Sequence, residues 1–253
     1  MNRRLLLFLL VGATLWWCLH RHPVRRIVIP DLPPTPDAKP TPSKPKKPRP
    51  CPGPGPCPRQ EVKVGVRPVE GGRVAPDGRA EVVCDLPANE RKKNIASKGL
   101  GCCVFRSIEY AARWQQVPEL FDLPERMRDA GIEGGGYPDK VAKVIQQFGP
   151  SVSYIQDTSG DPDILEAILQ TGRLPCVTYN GRDCHYAGGI AHMVCLPYFD
   201  RQTGWACISD NNYPREDEFV WMSPDEFLKR WNAGGGGWVV CLLKSPPPPP
   251  VHN

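Results

Sequence analysis

The sequence predicts an α+β fold of two layers, with helices first and an antiparallel β-sheet second. Three observations predict it. Apolar residues recur at helical spacing between residues 104 and 170. Past Gly172 the apolar runs become short, rich in β-branched and aromatic residues, and separated by Gly and Asn turns. Of the 31 prolines, 13 fall between Pro30 and Pro58 and five more form Pro246 to Pro250. Setting those segments aside leaves about 185 residues, enough to bury the core of a single domain.

Residues 1–26 read as an export signal or signal anchor. Arg3 and Arg4 precede an uncharged, largely apolar stretch from Leu5 to Leu19, and Arg21, Arg25 and Arg26 follow it. As a helix that stretch would be about 22 Å long, short of a ~30 Å bilayer core, which suits a signal core or a short single span. Trp16 and Trp17 stand where small residues would mark a cleavage site, and tryptophan beside basic residues is an interfacial anchor. The expectation is membrane attachment, with orientation open. Residues 27–58 form a Pro/Lys-rich linker, stiff and extended, in which Cys51 and Cys57 bracket a Pro-Gly repeat that could close a disulfide. The body spans residues 59–245, and 246–253 is a Pro-rich tail.

Within the body, Val62, Val64 and Val66 alternate as in a strand, and Ala80 to Leu86 suggests a second. Val104 to Gln115 carries apolar residues at 104, 105, 108, 111 and 112, one helical face. Pro138 to Phe148 repeats the pattern with Val141, Val144, Ile145 and Phe148. Asp161-Pro162-Asp163 opens a third helix running to Gln170, with Asp as cap and Pro in the first turn. Leu174 to Tyr179, His192 to Phe199, Trp205 to Ser209 and Trp238 to Leu243 read as strands. Ser223-Pro224-Asp225-Glu226 is a capping box that starts a helix through Phe227 to Trp231.

Charge and cysteine usage exclude several function classes. Residues 1–58 hold ten Lys/Arg and two Asp/Glu, a net of +8, which leaves the remainder at −3. The basic character therefore belongs to the arm, and a nucleic-acid-binding body is not expected. Eleven cysteines include no CxxC pair, and the body offers only His185 and His192, so neither a structural zinc nor any other cofactor is expected. Cys176, Cys195, Cys207 and Cys241 lie in apolar runs, where cysteine packs as a small hydrophobe.

The chemistry concentrates in Gly99-Leu100-Gly101-Cys102-Cys103-Val104-Phe105-Arg106-Ser107. A cysteine at the first turn of a helix feels the positive end of the helix dipole, which favours thiolate over thiol. Cys103 is preferred as nucleophile because the apolar helical face follows it directly; Cys102 is held in reserve. The base is expected at His192. Residues 192–199 and 205–210 flank the turn Asp200 to Gly204, and opposite residues of an antiparallel pair have numbers summing to twice the turn centre. A centre at 201 or 202 sets residues 210–212 opposite His192, where Asp210-Asn211-Asn212 stand. Opposed Cβ atoms lie about 5 Å apart, near enough for a carboxylate to hold the imidazole. Asp210 is the first choice for that role and Asn212 the second.

A cysteine opening a helix, further helices, then a sheet bearing His and later Asp is a chain order that resembles the papain-like cysteine peptidases. The spacing is more similar to the bacterial double-glycine-leader (bacteriocin-processing) peptidase domains, over roughly Asn94 to Leu243. That resemblance implies Cys103 as nucleophile, His192 as general base and acid, and Asp210 as the residue that orients the histidine. It also implies an oxyanion-hole glutamine six residues before the cysteine, where this chain has Ser97 (or Ala96 before Cys102). The nearest amide is Asn94, which can serve only if the Gly-rich loop folds back. Losing one such donor typically costs ~100-fold in rate.

The expected activity is hydrolysis of peptide or amide bonds in a peptide or protein substrate near a membrane. Two alternatives use the same scaffold: an acyltransferase passing the acyl group to an amine, and a binding module that has lost efficient catalysis.

Overall fold

The computed structural model describes residues 65–247 except 83 and 216. The proposed signal anchor, the Pro/Lys-rich linker, the Cys51–Cys57 loop and the end of the Pro-rich tail lie outside those residues. Among the described residues no helix is long and apolar enough to cross a membrane.

The chain runs β1 (Val69–Gly71), β2 (Ala96–Ser97), β3 (Leu100–Gly101), α1 (Cys103–Trp114), α2 (Leu123–Asp129), α3 (Pro138–Phe148), β4 (Tyr154–Asp157), α4 (Pro162–Gln170), β5 (Cys176–Gly181), β6 (Ile190–Asp200), β7 (Trp205–Ser209), β8 (Phe219–Met222), α5 (Pro224–Trp231) and β9 (Val239–Leu242). The helices start where local chemistry starts them. Asp161 accepts the N–H of Asp163 at 3.0 Å and Pro162 fills the first turn of α4. Ser223 accepts the N–H of Glu226 at 3.3 Å. The reciprocal half of that capping box does not form. Ser223 N–H donates instead to Val66 O at 3.1 Å, and the Glu226 carboxylate takes Arg230 at 2.7 Å.

Seven strands form one sheet in the order β1-β8-β7-β6-β5-β9-β4, every neighbouring pair antiparallel. The fold is α+β, but the expected two layers are three. Successive strand residues point to opposite faces, and the core divides accordingly. Cys176, Met193, Cys195 and Val240 pack with Phe105 and Ile108 of α1, Met127 of α2 and Val141 of α3. Val177, Tyr179, Val194 and Val239 pack on the other face with Leu165 and Ile168 of α4 and Phe227 and Trp231 of α5. The connections β4–α4–β5 and β8–α5–β9 return across that second face, so the sheet is sandwiched. Each buried large apolar side chain contributes about 1.5–3 kcal/mol. Packing, not propensity, thus holds a 12-residue helix such as α1, which alone would be marginal.

Other expectations need correction at the N-terminal end. Of the Val62–Val66 alternation only Val66 is described; it is irregular, and the first strand is Val69–Gly71. Ala80 to Leu86 is not a strand: a single bridge pairs Val74 with Glu81. The Asp85 carboxylate in this segment is buried against Arg91 at 2.6 Å, with Arg73 3.7 Å away. Residues 75–82 pack over Trp205, Cys207, Phe219 and Trp221 as a strap. Sequence reading also missed α2, β4 and β8. The last is a continuous apolar run buried on both faces, a pattern without alternation to betray it.

Candidate active site

The hairpin β2–β3 delivers the chain to α1. Lys98 and Gly99 both adopt positive φ (49° and 80°), the reversal a two-residue turn requires. Ala96 pairs with Gly101 and Ser97 with Leu100, and Cys102 N–H donates to Ile95 O at 2.8 Å. The next residues in step are Asn94 and Cys103, so the Gly-rich loop does fold back. Gly134 and Gly136 then pack against the hairpin and helix start: a Cβ on Gly136 would meet Val104 Cγ2 at 2.5 Å.

Cys102 and Cys103 have different fates. Cys102 is fully buried as the residue capping α1, and burial, followed by the neighbouring Cys103, raises its thiol pKa. Cys103 is part-exposed at the first helical position, where His192 interacts with its thiol. Burial works to raise its pKa. The hydrogen bond and charge of His192, with the Met193 and Val104 backbone, outweigh burial and lower it.

His192 is 6% exposed, and its Nε2 lies 2.9 Å from Asp210 Oδ1. That contact leaves Nδ1 as the ring nitrogen facing Cys103. Burial opposes the imidazolium, but the hydrogen bonds it donates to Asp210 and Cys103, with their charges, prevail and push its pKa up to about 10. Asp210 is 1% exposed; burial works to raise its pKa, and His192, the Asn212 N–H and Tyr186 bring it below the usual carboxylate range. The arrangement favours a thiolate–imidazolium pair steadied by a carboxylate.

Register explains why Asp210, not Asn212, meets the histidine. Asp200 pairs with Trp205 and Tyr198 with Cys207, but a bulge shifts the step so that Cys195 pairs with Ser209. Continued in step, the ladder would bring Asn212 opposite His192. The chain leaves the ladder first: Asp210 Oδ1 accepts Asn212 N–H at 2.8 Å and Asp210 O accepts Tyr213 N–H at 3.0 Å. That turn swings the carboxylate onto Nε2.

Asn212 and Asn94 join the same network further out. Asn94 Nδ2 donates to Asn212 Oδ1 at 3.1 Å, Asn212 Nδ2 donates to the Tyr186 oxygen at 2.8 Å, and the Tyr186 hydroxyl donates to Asp210 Oδ2 at 2.7 Å. Burial, with the Asp210 charge, raises the Tyr186 pKa, so the phenol keeps the proton it donates. An amide nitrogen carries two hydrogens, and Asn212 takes one from Asn94. Ser97, at the position of the expected glutamine, gives its hydroxyl to Ile132 O at 2.6 Å. His185 stacks on Tyr213 at 4.0 Å, outside this chain of hydrogen bonds.

Sequence reasoning missed Tyr186, Ser107 and Asn211. Asn211 Nδ2 lies 3.1 Å from Cys103 O, 2.9 Å from Ser107 Oγ and 3.0 Å from Met193 O, and the Ser107 hydroxyl donates to Met193 O at 3.0 Å. These bonds pin the first turns of α1 to β6 beside His192. The available signals were the four-residue spacing of Cys103 and Ser107 on one helix face, and the placing of Asn211 between two named candidates. Among the described residues no group of three or more His, Cys, Asp or Glu side chains is arranged to hold a metal ion. No protein-family model matches the chain, and no curated protein shows significant similarity to it.

Proposed function

We propose that this protein is a papain-like cysteine peptidase that cleaves peptide or amide bonds through Cys103, His192 and Asp210. The observation that carries the reading is the continuous contact from Cys103 through His192 to Asp210, with Nε2 held at 2.9 Å by the carboxylate. Chain order supports it: a helix-opening cysteine, a strand histidine, then an aspartate after the next strand. The Cys103 thiolate attacks the substrate carbonyl carbon, and the carbonyl electrons move to oxygen. The N–H of Cys103, which opens α1 and has no partner within the helix, meets that oxyanion together with the second Nδ2 hydrogen of Asn94. His192 gives its proton to the leaving amine as the C–N bond breaks, leaving a thioester on Cys103. Water then attacks the thioester, His192 takes its proton, and the thiolate departs. The apolar segment from Leu5 to Leu19 is the proposed membrane tether.

A cysteine-directed peptidyl electrophile tests the reading. Labelling and peptide hydrolysis by the full chain are expected, with both abolished in Cys103→Ala and retained in Cys102→Ala. Selective labelling of Cys103 without turnover of any peptide in a diverse library would favour the binding-module alternative. Faster product formation with an added amine, and amide product, would mark a transferase.

A further inference from the structure

Beneath α1 two cysteines face each other across the sheet. Cys176 of β5 stands directly opposite Cys195 of β6, and the residues are 1% and 0% exposed. The neighbouring rung fixes the kind of pairing. Leu196 N–H donates to Pro175 O at 2.9 Å. Hydrogen-bonded and non-hydrogen-bonded rungs alternate along an antiparallel ladder, so Cys176 and Cys195 occupy a non-hydrogen-bonded rung. In such a rung the Cα atoms are ~4.5 Å apart and the side chains approach most closely. That separation falls within the ~4.4–6.8 Å that a disulfide spans. The Cys195 thiol donates to Ser107 O on α1 at 3.5 Å. Cys241, a third nearby cysteine, belongs to the cluster on the opposite face of the sheet.

We propose that Cys176 and Cys195 are a redox pair that closes into a cross-strand disulfide by exchange with a low-molecular-weight disulfide such as oxidised glutathione. One cysteine thiolate attacks a glutathione sulfur, forming a mixed disulfide and releasing one glutathione thiolate. The second cysteine thiolate attacks the cysteine sulfur of the mixed disulfide and displaces the other glutathione. The two cysteine protons pass to the released thiolates: two cysteines are oxidised and one glutathione disulfide is reduced. Both sulfurs are sealed from solvent, so exchange takes place during folding or on local opening of β5 and β6. Closure withdraws Cys195 from Ser107, one turn beyond Cys103, and ties together the strand that bears His192 and its neighbour. The pair stands on strand register and is independent of the peptidase reading.

The test refolds the full chain from denaturant in glutathione buffer, raising the oxidised fraction until the exposed Cys184 is modified. Remaining thiols are blocked with iodoacetamide under denaturing conditions, and linked peptides are identified by mass spectrometry. The expected result is a Cys176–Cys195 linked peptide, two hydrogens lighter than the reduced pair, reopened by dithiothreitol and absent in Cys176→Ser and Cys195→Ser. Recovery of both cysteines as blocked thiols overturns the proposal, and so does a link from either of them to Cys241. The wild-type measurement decides the matter even where serine at a buried position impairs folding.

Discussion

At the scale of single residues, the site is a problem of proton placement. His192 has its pKa raised from 6.5 to about 10, so the stability its contacts contribute is full below 6.5 and is lost as pH rises through about 10. Cys103 is lowered from 9.0; its contribution is full above 9.0 and lost as pH falls through the depressed value. Between those limits the thiolate and the imidazolium coexist. Replacing Asp210 by Asn keeps a hydrogen-bonding side chain but removes the charge that favours the imidazolium. The alkaline limb of Cys103 alkylation by iodoacetamide, set by His192 near 10, should then move down by about 1–3 pH units. An unchanged limb in Asp210→Asn would mean that the carboxylate does not govern the histidine.

At the scale of elements, Cys103 is placed by where α1 begins, and three contacts set that point: the β2–β3 hairpin, the glycine loop and Asn211. The glycine loop gives the sharpest test. Val104 is β-branched and stiff, so a methyl at position 136, 2.5 Å from its Cγ2, cannot be relieved by a simple side-chain swing. Gly136→Ala is expected to cost about 1–3 kcal/mol by overpacking. Gly188 has nothing within 4 Å of an added Cβ, so Gly188→Ala should leave stability nearly unchanged. Urea denaturation of the two variants measures the difference, and Cys103 labelling should fall only in the first. Much at this scale was legible in the sequence. The starts of α3, α4 and α5 follow from proline in the first turn, with an Asp161 or Ser223 cap in two of them. The bulge between Cys195 and Tyr198 was not legible, because it arises from pairing between strands and leaves no mark on either strand alone.

At the scale of the whole molecule, the strap before α1 braces the far side of the site. Asp77 accepts the Trp205 indole N–H at 2.9 Å. Arg91 binds Asp85 at 2.6 Å and Arg215 O at 2.9 Å, and its guanidinium lies 4.6 Å from the Phe219 ring centroid. These contacts tie the strap to the loop that Asp210 opens. Burial raises the Asp85 pKa to about 6 against the opposing effect of Arg91 and Arg73. A carboxyl raised above its ordinary 3.8 binds its proton more tightly in the folded state, so stability declines as pH rises from 3.8 through about 6. Asp85→Ala leaves Arg91 buried without its counter-charge, which at neutral pH should cost about 3–5 kcal/mol. The Ala variant lacks that titration, so the penalty should grow as pH falls from about 6 towards 3.8, where the wild type gains stability by protonating Asp85. Thermal denaturation of both proteins at pH 5 and 7.5 checks it: the penalty should be larger at pH 5, and a penalty equal at the two values would exclude a carboxyl raised to about 6 at Asp85.

The sequence by itself determined the α+β class, the positions of most helices, and the candidates Cys103, His192 and Asp210. Each rests on information local to a segment: helical periodicity, capping chemistry, and the symmetry of one short hairpin. Tertiary structure alone decided the third layer, because which face of a sheet a helix covers depends on crossovers between distant strands. It set the adjacent cysteines apart by burying Cys102 and leaving Cys103 part-exposed beside His192. It chose Asp210 over Asn212 by a bulge and a turn that end the ladder early. Asn94 came opposite Cys103 through the register of the β2–β3 hairpin, and Asn211 and Tyr186 became visible only once the helix, strand and loop they join were folded together.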